Sequence, residues 1–235
     1  MTALDFDDFD WLTFDTYGTL IDWETGILAA IRPILEAHGV DAGDDDGVLG
    51  AFARHEAEIE AGPYKRYREV LGEVLTQMLG HFGQTPTPEE VARFGGSVAD
   101  WPAFPDSGAA LARLQTRFKL GVITNCDDDL FAASEARLGI KFDMVVTAQQ
   151  AKRYKPNPRG FELAFERIGL PPARILHVAQ SLFHDHVTAK RMGLRTVWVN
   201  RRAGREGGGA TPAADATPDL TVPDMATLAA VAVPE

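Results

Sequence analysis

Four polar clusters in this sequence each follow a short apolar run: Asp15, Thr124-Asn125, Lys155, and Gln180-Ser181 with Asp185 a few residues on. In open parallel sheets, ligands bind beyond the carboxyl ends of the strands. If the apolar runs are neighbouring strands, carboxylate, ammonium, hydroxyl and amide groups all arrive at one sheet edge. That is the constellation an active site needs.

The runs read as strands. Residues 11–17, 120–124, 144–147, 175–179 and 196–199 are short and mostly β-branched or aromatic, and helical stretches separate most of them. Strands buried on both faces look like this, and the alternation predicts an α/β fold with a doubly wound parallel sheet. The segment 25–99 is different. It holds no convincing strand, and residues 27–37, 48–60, 64–79 and 88–94 read as helices, with breaks at 39–47, 62–63 and 84–88. We therefore expect a core of residues 1–22 and 100–235, with residues 23–99 inserted as an α-helical cap. The core resumes near Pro105 with a helix over 108–118, and the Gly, Ala, Thr and Pro-rich stretch 204–218 reads as a mobile surface loop.

Composition narrows the function classes. A chain of 235 residues buries roughly 70–75% of its unfolded surface, so it needs no covalent staple. Its net charge of −11 argues against nucleic acid or an anionic membrane as partner, both being polyanions. A local cationic pocket can still take a small anion. One cysteine, Cys126, excludes an internal disulfide and a thiolate-rich metal site. The acidic first ten residues do not read as a secretory signal, and the longest apolar run, 226–233, is too short to span a bilayer. A cytoplasmic location is the expectation.

The motifs carry a resemblance. Phe14-Asp15-Thr16-Tyr17-Gly18-Thr19-Leu20, Ile123-Thr124-Asn125, Tyr154-Lys155-Pro156-Asn157 and His177-Val178-Ala179-Gln180-Ser181 with Asp185 resemble the four signatures of the haloacid dehalogenase superfamily. They stand in that family's order and spacing, and the helical insert lies where the family places its cap. Phosphatases of the superfamily carry an acid two positions after the nucleophile, where this chain has Tyr17. An alkoxide needs a general acid to leave, whereas a halide does not. Magnesium-dependent members begin the fourth motif with Asp, where this chain has Gln180, and hard cations want carboxylate oxygens. Tyr17 and Gln180 thus make it similar to the 2-haloacid dehalogenase (type II) branch, which uses neither metal nor cofactor.

The resemblance implies roles. Asp15 would attack the halogen-bearing carbon of a small 2-haloalkanoic acid, and water would hydrolyse the resulting ester to the 2-hydroxy acid. Lys155 would balance Asp15, and Asp185 would position the water. Thr19, Thr124, Ser181, Gln180 and Tyr17 would surround the substrate, Asn125 would meet the halide, and Arg54 would supply a cation from the insert, with Arg66 and Arg68 as competitors. Two departures stand out: Phe161 replaces a tyrosine six residues after the motif-three lysine, and Gln180-Ser181-Leu182 replaces a Ser-Ser-Asn run.

Other readings compete. His177, His184 and His186 suggest a metal site but lack a fixed triad spacing, so structural or supporting roles are expected. Cys126 reads as a packed thiol, and Trp23, Phe52, Tyr64 and Tyr67 as lid core. A phosphatase acting on a small metabolite and a non-catalytic binding protein are the rival functions. Homodimers are common for such folds.

Overall fold

The computed structural model describes residues 4–204 and 210–234. Six strands, β1 (Trp11–Phe14), β2 (Lys119–Thr124), β3 (Met144–Thr147), β4 (Ile175–Ala179), β5 (Arg195–Val199) and β6 (Leu220–Val222), form one sheet in the order β3-β2-β1-β4-β5-β6. Every pairing is parallel. The helices are α1 (Trp23–Ala37), α2 (Asp45–Glu60), α3 (Tyr67–Gly80), α4 (Pro88–Gly96), α5 (Ser107–Gln115), α6 (Asp128–Leu138), α7 (Ala148–Ala151), α8 (Arg159–Ile168), α9 (Val187–Arg191) and α10 (Met225–Ala232). Successive strand residues point to opposite faces, and the sheet uses both. Leu120, Val122, Leu176 and Val178 join one apolar core. Ile123, Met144, Val146 and Ile175 join another with Phe161 and Ala164 of α8.

Between β1 and α5 the chain forms only helices, α1 to α4, plus one short 3-10 turn, and their apolar faces close on Ile27, Ile31, Phe52, Leu71 and Phe94. One contact fixes how α1 meets the returning chain. A side-chain carbon on Gly26 would lie 2.3 Å from the Trp101 ring, so only glycine allows that approach. Polar ties add to it: Arg202 reaches Glu24 of α1 and Asp46 of α2, and Arg66 and Arg68 reach Asp129 at the start of α6. Among the described residues no helix is long and apolar enough to cross a membrane.

The expected strands and helices form, with shifted ends that have local causes. β1 stops at Phe14 instead of Tyr17. After Asp15 the chain turns back, with the Leu20 and Ile21 amides both donating to the Thr16 carbonyl, and Gly18 sits at φ +86°, where a side chain would be strained. α1 and α2 begin four and three residues earlier than expected, because Asp22 and Asp44 cap them through the Thr25 and Gly47 amides. α3 begins at Tyr67 and not at residue 64. The buried carboxylate of Asp127 accepts from the Tyr67 and Arg68 amides, so a residue of the core sets where this helix starts. β6 was not expected, and three residues are too few for a period to show. Of the stretch 204–218, residues 205–209 lie outside those described.

Candidate active site

Strand geometry brings Asp15, Lys155 and Asp185 together. Asp15 is the first residue past the central strand, and its amide still donates to the Val178 carbonyl of β4 at 3.0 Å. Lys155 follows α7, and Asp185 lies in the π-helical turn Leu182–His186 beyond β4. Lys155 Nζ donates to Asp15 Oδ1 at 2.8 Å, to Asp185 Oδ1 at 2.7 Å and to the Ile123 carbonyl at 2.8 Å. All three donors of the ammonium are thereby committed. Both its side chain and that of Asp185 are almost fully buried, at 3% and 0% exposure.

The charges stabilise one another unevenly. Burial works against the Lys155 charge, but Asp15 and Asp185 outweigh it and raise the ammonium's pKa. Asp185 is held below the ordinary carboxylate range: burial alone would raise it, and Lys155 and His177 more than reverse that. Asp15 is raised by burial, with Lys155 and the Thr19 hydroxyl pulling it back. Asp15 is therefore the more basic of the two carboxylates, as a nucleophile would need to be.

Supporting groups hold this arrangement. Thr19 Oγ1 donates to Asp15 Oδ2 at 2.8 Å and accepts from the Gln180 amide at 2.8 Å. His177, fully buried in β4, lies between Thr13 Oγ1 at 2.9 Å and Asp185 Oδ1 at 3.0 Å. The ring of Phe161 meets the His177 imidazole edge-on at 5.0 Å, so the phenol-free residue packs behind the acid. Asp185 Oδ2 and Thr124 Oγ1 are buried and hydrogen-bond to no described residue.

Four of the expected substrate contacts are placed differently. The Asn125 amide pairs with the backbone of Lys155, accepting from its N–H at 2.7 Å and donating to its carbonyl at 3.1 Å, so it positions the lysine. Tyr17 lines the cavity by its ring, while its buried hydroxyl donates to Cys126 Sγ at 3.2 Å. Gln180 turns its side chain away from Asp15, into a separate cleft of about 410 Å³ lined also by Trp23, Arg201 and Arg202, where its Oε1 accepts from Thr211. Arg54 is exposed and bonds to the Gly50 carbonyl. It lies half a turn away from the helix face that looks at Asp15. An Arg54→Ala variant should therefore keep its activity within about twofold and its stability within about 0.5 kcal/mol in a denaturant titration.

The residues of α2 that do face Asp15 are acidic. A cavity of about 30 Å³ is lined by Asp15, Tyr17, Asn125, Lys155, Ser181 and His184 of the core side, and by Trp23, Glu56, Glu60 and Tyr67 of the insert. Tyr67 Oη donates to Glu56 Oε1 at 2.7 Å, and Asn125 Nδ2 lies 3.4 Å from Glu60 Oε2. Burial pushes Glu56 up to about 7 and Glu60 well above its ordinary value. Neither glutamate was singled out from sequence. Their i, i+4 spacing on the stripe of Leu49, Phe52 and Ala53 was the available signal, since two carboxyls on an apolar stripe must point inward.

The histidines do not converge. Ser181 caps the turn through the His184 amide at 2.9 Å, and His186 Nε2 donates to the Ala179 carbonyl. Burial lowers both histidines to about 4, which keeps them neutral. The donor set does not fit a divalent cation. Lys155 occupies the inner oxygens of Asp15 and Asp185, Gln180 faces elsewhere, and no group of three His, Cys, Asp or Glu suited to a metal occurs among the described residues. Cys126 is buried, and its thiol is pushed up to about 12 by burial, so it is inert as a nucleophile.

A doubly wound parallel sheet with an aspartate at the end of its central strand, paired to a lysine, defines a class of hydrolase. A family model described as haloacid dehalogenase-like hydrolase matches residues 9–193, and this chain belongs to that family. The chain is 26% identical over 220 residues to haloacetate dehalogenase H-2 of Moraxella sp. (strain B), covering 91% of this chain and 93% of that one. It is equally 26% identical over 243 residues to a phosphoserine phosphatase of Thermus thermophilus, covering 88% and 95%. Among solved structures, the L-2-haloacid dehalogenase of Xanthobacter autotrophicus superposes with a TM-score of 0.78 at 23% identity, covering 95% of this chain and 98% of that one.

Proposed function

We propose that this protein hydrolyses the carbon–halogen bond of small 2-haloalkanoic acids through an aspartyl ester on Asp15, giving the 2-hydroxy acid and halide. Similarity extends to a dehalogenase and to a phosphatase, so the site's own residues decide. The observation that carries the reading is the lysine clamp on Asp15, with no acid beside the leaving group on the core side. Tyr17 stands two residues after the nucleophile, and burial raises its phenol well above its ordinary range. Its O–H is turned to Cys126 and is too weak an acid to protonate a departing alkoxide, whereas a halide needs no proton.

Asp15 attacks the carbon and expels halide, forming the ester. Lys155 then faces the ester with Asp185 still ionised beside it. The oxygen Asp185 Oδ2, which bonds no described residue, is the acceptor for the water that opens the ester. We assign the helical insert, residues 23–99, as the cap that closes the site, with residues 1–22 and 100–235 as the core. A cavity of about 30 Å³ holds only one or two water-sized groups, so even a two-carbon 2-halo acid requires the cap to move, and small substrates require the least movement.

The test is halide release from chloroacetate, fluoroacetate and racemic 2-chloropropionate. The expected result is release at an unchanged rate in the presence of EDTA. A large loss under EDTA that magnesium restores, together with hydrolysis of phosphate esters, would replace this reading by phosphoryl transfer.

A further inference from the structure

The roof of the cavity faces a different demand from its floor. In an in-line displacement the leaving group departs on the side opposite the attacking oxygen. Asp15 attacks from the core, so the halide is pushed toward the insert, where α2 presents Glu56 and Glu60. Among the described residues no arginine lines this cavity, Arg54 points to solvent, and Lys155 has already committed its three donors. An anion leaving toward two ionised carboxylates would be repelled by both.

We propose that Glu60, with Glu56 beside it, is the leaving-group site: a neutral carboxyl that donates its O–H as a hydrogen bond to the departing halide. This rests on the aspartyl-ester reading. Glu56 is buried and Glu60 partly so, and two carboxyls one helical turn apart in that setting resist ionising together near neutral pH. Tyr67 Oη donates to Glu56 at 2.7 Å and favours its charged form, whereas Asn125 Nδ2 reaches Glu60 only at 3.4 Å, so the retained proton falls to Glu60, which the Glu56 charge raises further although Lys155 opposes it. The other titratable groups around the pair are Asp15, Lys155 and His184 from the core, with Tyr67 on α3 and Tyr154 before Lys155. His184 is held neutral by burial, and the phenols of Tyr17, Tyr67 and Tyr154 are raised well above their ordinary range, so none of them titrates ahead of the two glutamates.

The chemistry balances. The Asp15 oxygen forms a bond to the substrate carbon, and the carbon–halogen pair leaves with the halogen. The halide accepts the Glu60 hydrogen bond and diffuses out, and the proton stays on Glu60. Water then opens the ester, regenerating the Asp15 carboxylate and releasing one proton to solvent.

Halide binding should therefore take up a proton above neutral pH. Calorimetry of bromide binding at pH 8, repeated in buffers of different ionisation enthalpy, reads this directly and needs no turnover. Proton uptake is expected in the wild type and none in the Glu56→Gln/Glu60→Gln double variant, which keeps amide donors but cannot titrate. In turnover, kcat/KM of the wild type should fall about tenfold per pH unit above the pair's pKa, while the double variant's own profile stays flat from pH 6 to 9. Bromide binding without proton uptake, or an alkaline limb that survives in the double variant, overturns the assignment. If bromide binds with proton uptake but no 2-halo acid is turned over at any pH, the halide site stands and the dehalogenase reading falls.

Discussion

Replacing Asp15 by asparagine is expected to abolish turnover, by on the order of 10³-fold or more, while the protein stays folded. The amide is isosteric and keeps an acceptor for Thr19, but it is a poor nucleophile. Fold loss is not expected, because Lys155 retains Asp185 and the Ile123 carbonyl as partners. The same covalent step has a second signature. A single turnover in heavy-oxygen water should place one labelled oxygen in the Asp15 carboxyl, read by mass spectrometry of the peptide that carries it. Label found only in the product would mean that water attacks the substrate carbon directly. A folded Asp15→Asn variant with near wild-type activity would also end the covalent mechanism.

Lys155→Met should show the largest stability effect in the molecule. The substitution leaves Asp15 and Asp185 buried with no ammonium between them. Breaking a buried ion pair from one side costs about 3–5 kcal/mol, because the remaining charge is uncompensated. The pH dependence has a definite sign. In the wild type, Asp185 has a folded pKa below its unfolded value, so its contribution is present above about pH 4 and fades as pH falls through the folded value. Without the lysine, both buried carboxyls rise above their unfolded values, and the folded state takes up protons first on acidification. The deficit should be greatest at neutral pH and shrink toward about pH 4. Urea denaturation of both proteins at pH 7.5 and 4.5 reads this difference, and an equal deficit at the two pH values would show that the lost bonds were not charge-dependent.

The core of the site was readable in the sequence because each of its residues follows a strand end. Asp15 falls where an apolar run breaks, and Lys155 and Asp185 lie in the connections just beyond two others, where parallel pairing brings the chain to the same sheet edge. Residues on the insert were harder to read, since a helix states its phase only through its apolar stripe. Arg54 was favoured by charge and approximate position, yet Phe52, Ala53 and Glu56 define the inward face and Arg54 lies opposite. Side-chain direction was also out of reach at Gln180 and Asn125. Both stand at the sheet edge near Asp15, but one points into the neighbouring cleft and the other is bound to the Lys155 backbone. His177 could not be assigned to the acid it supports, because its partners, Thr13 and Asp185, are brought to it only by the assembled sheet.

The order of the strands has a consequence for how the chain is made. β1 is the first strand to leave the ribosome, yet its neighbours are β2 and β4, which begin at residues 119 and 175. At roughly 5–20 residues per second, Trp11–Phe14 waits on the order of 5–20 s for its first neighbour. During that interval the only elements complete are the helices that follow it, whose contacts are mostly local and form quickly. The insert, assigned above as the cap, is thus also the first body available to shelter an aromatic, unpaired strand. Shortening it should lower the yield of soluble protein during synthesis even where the finished sheet would be stable without it.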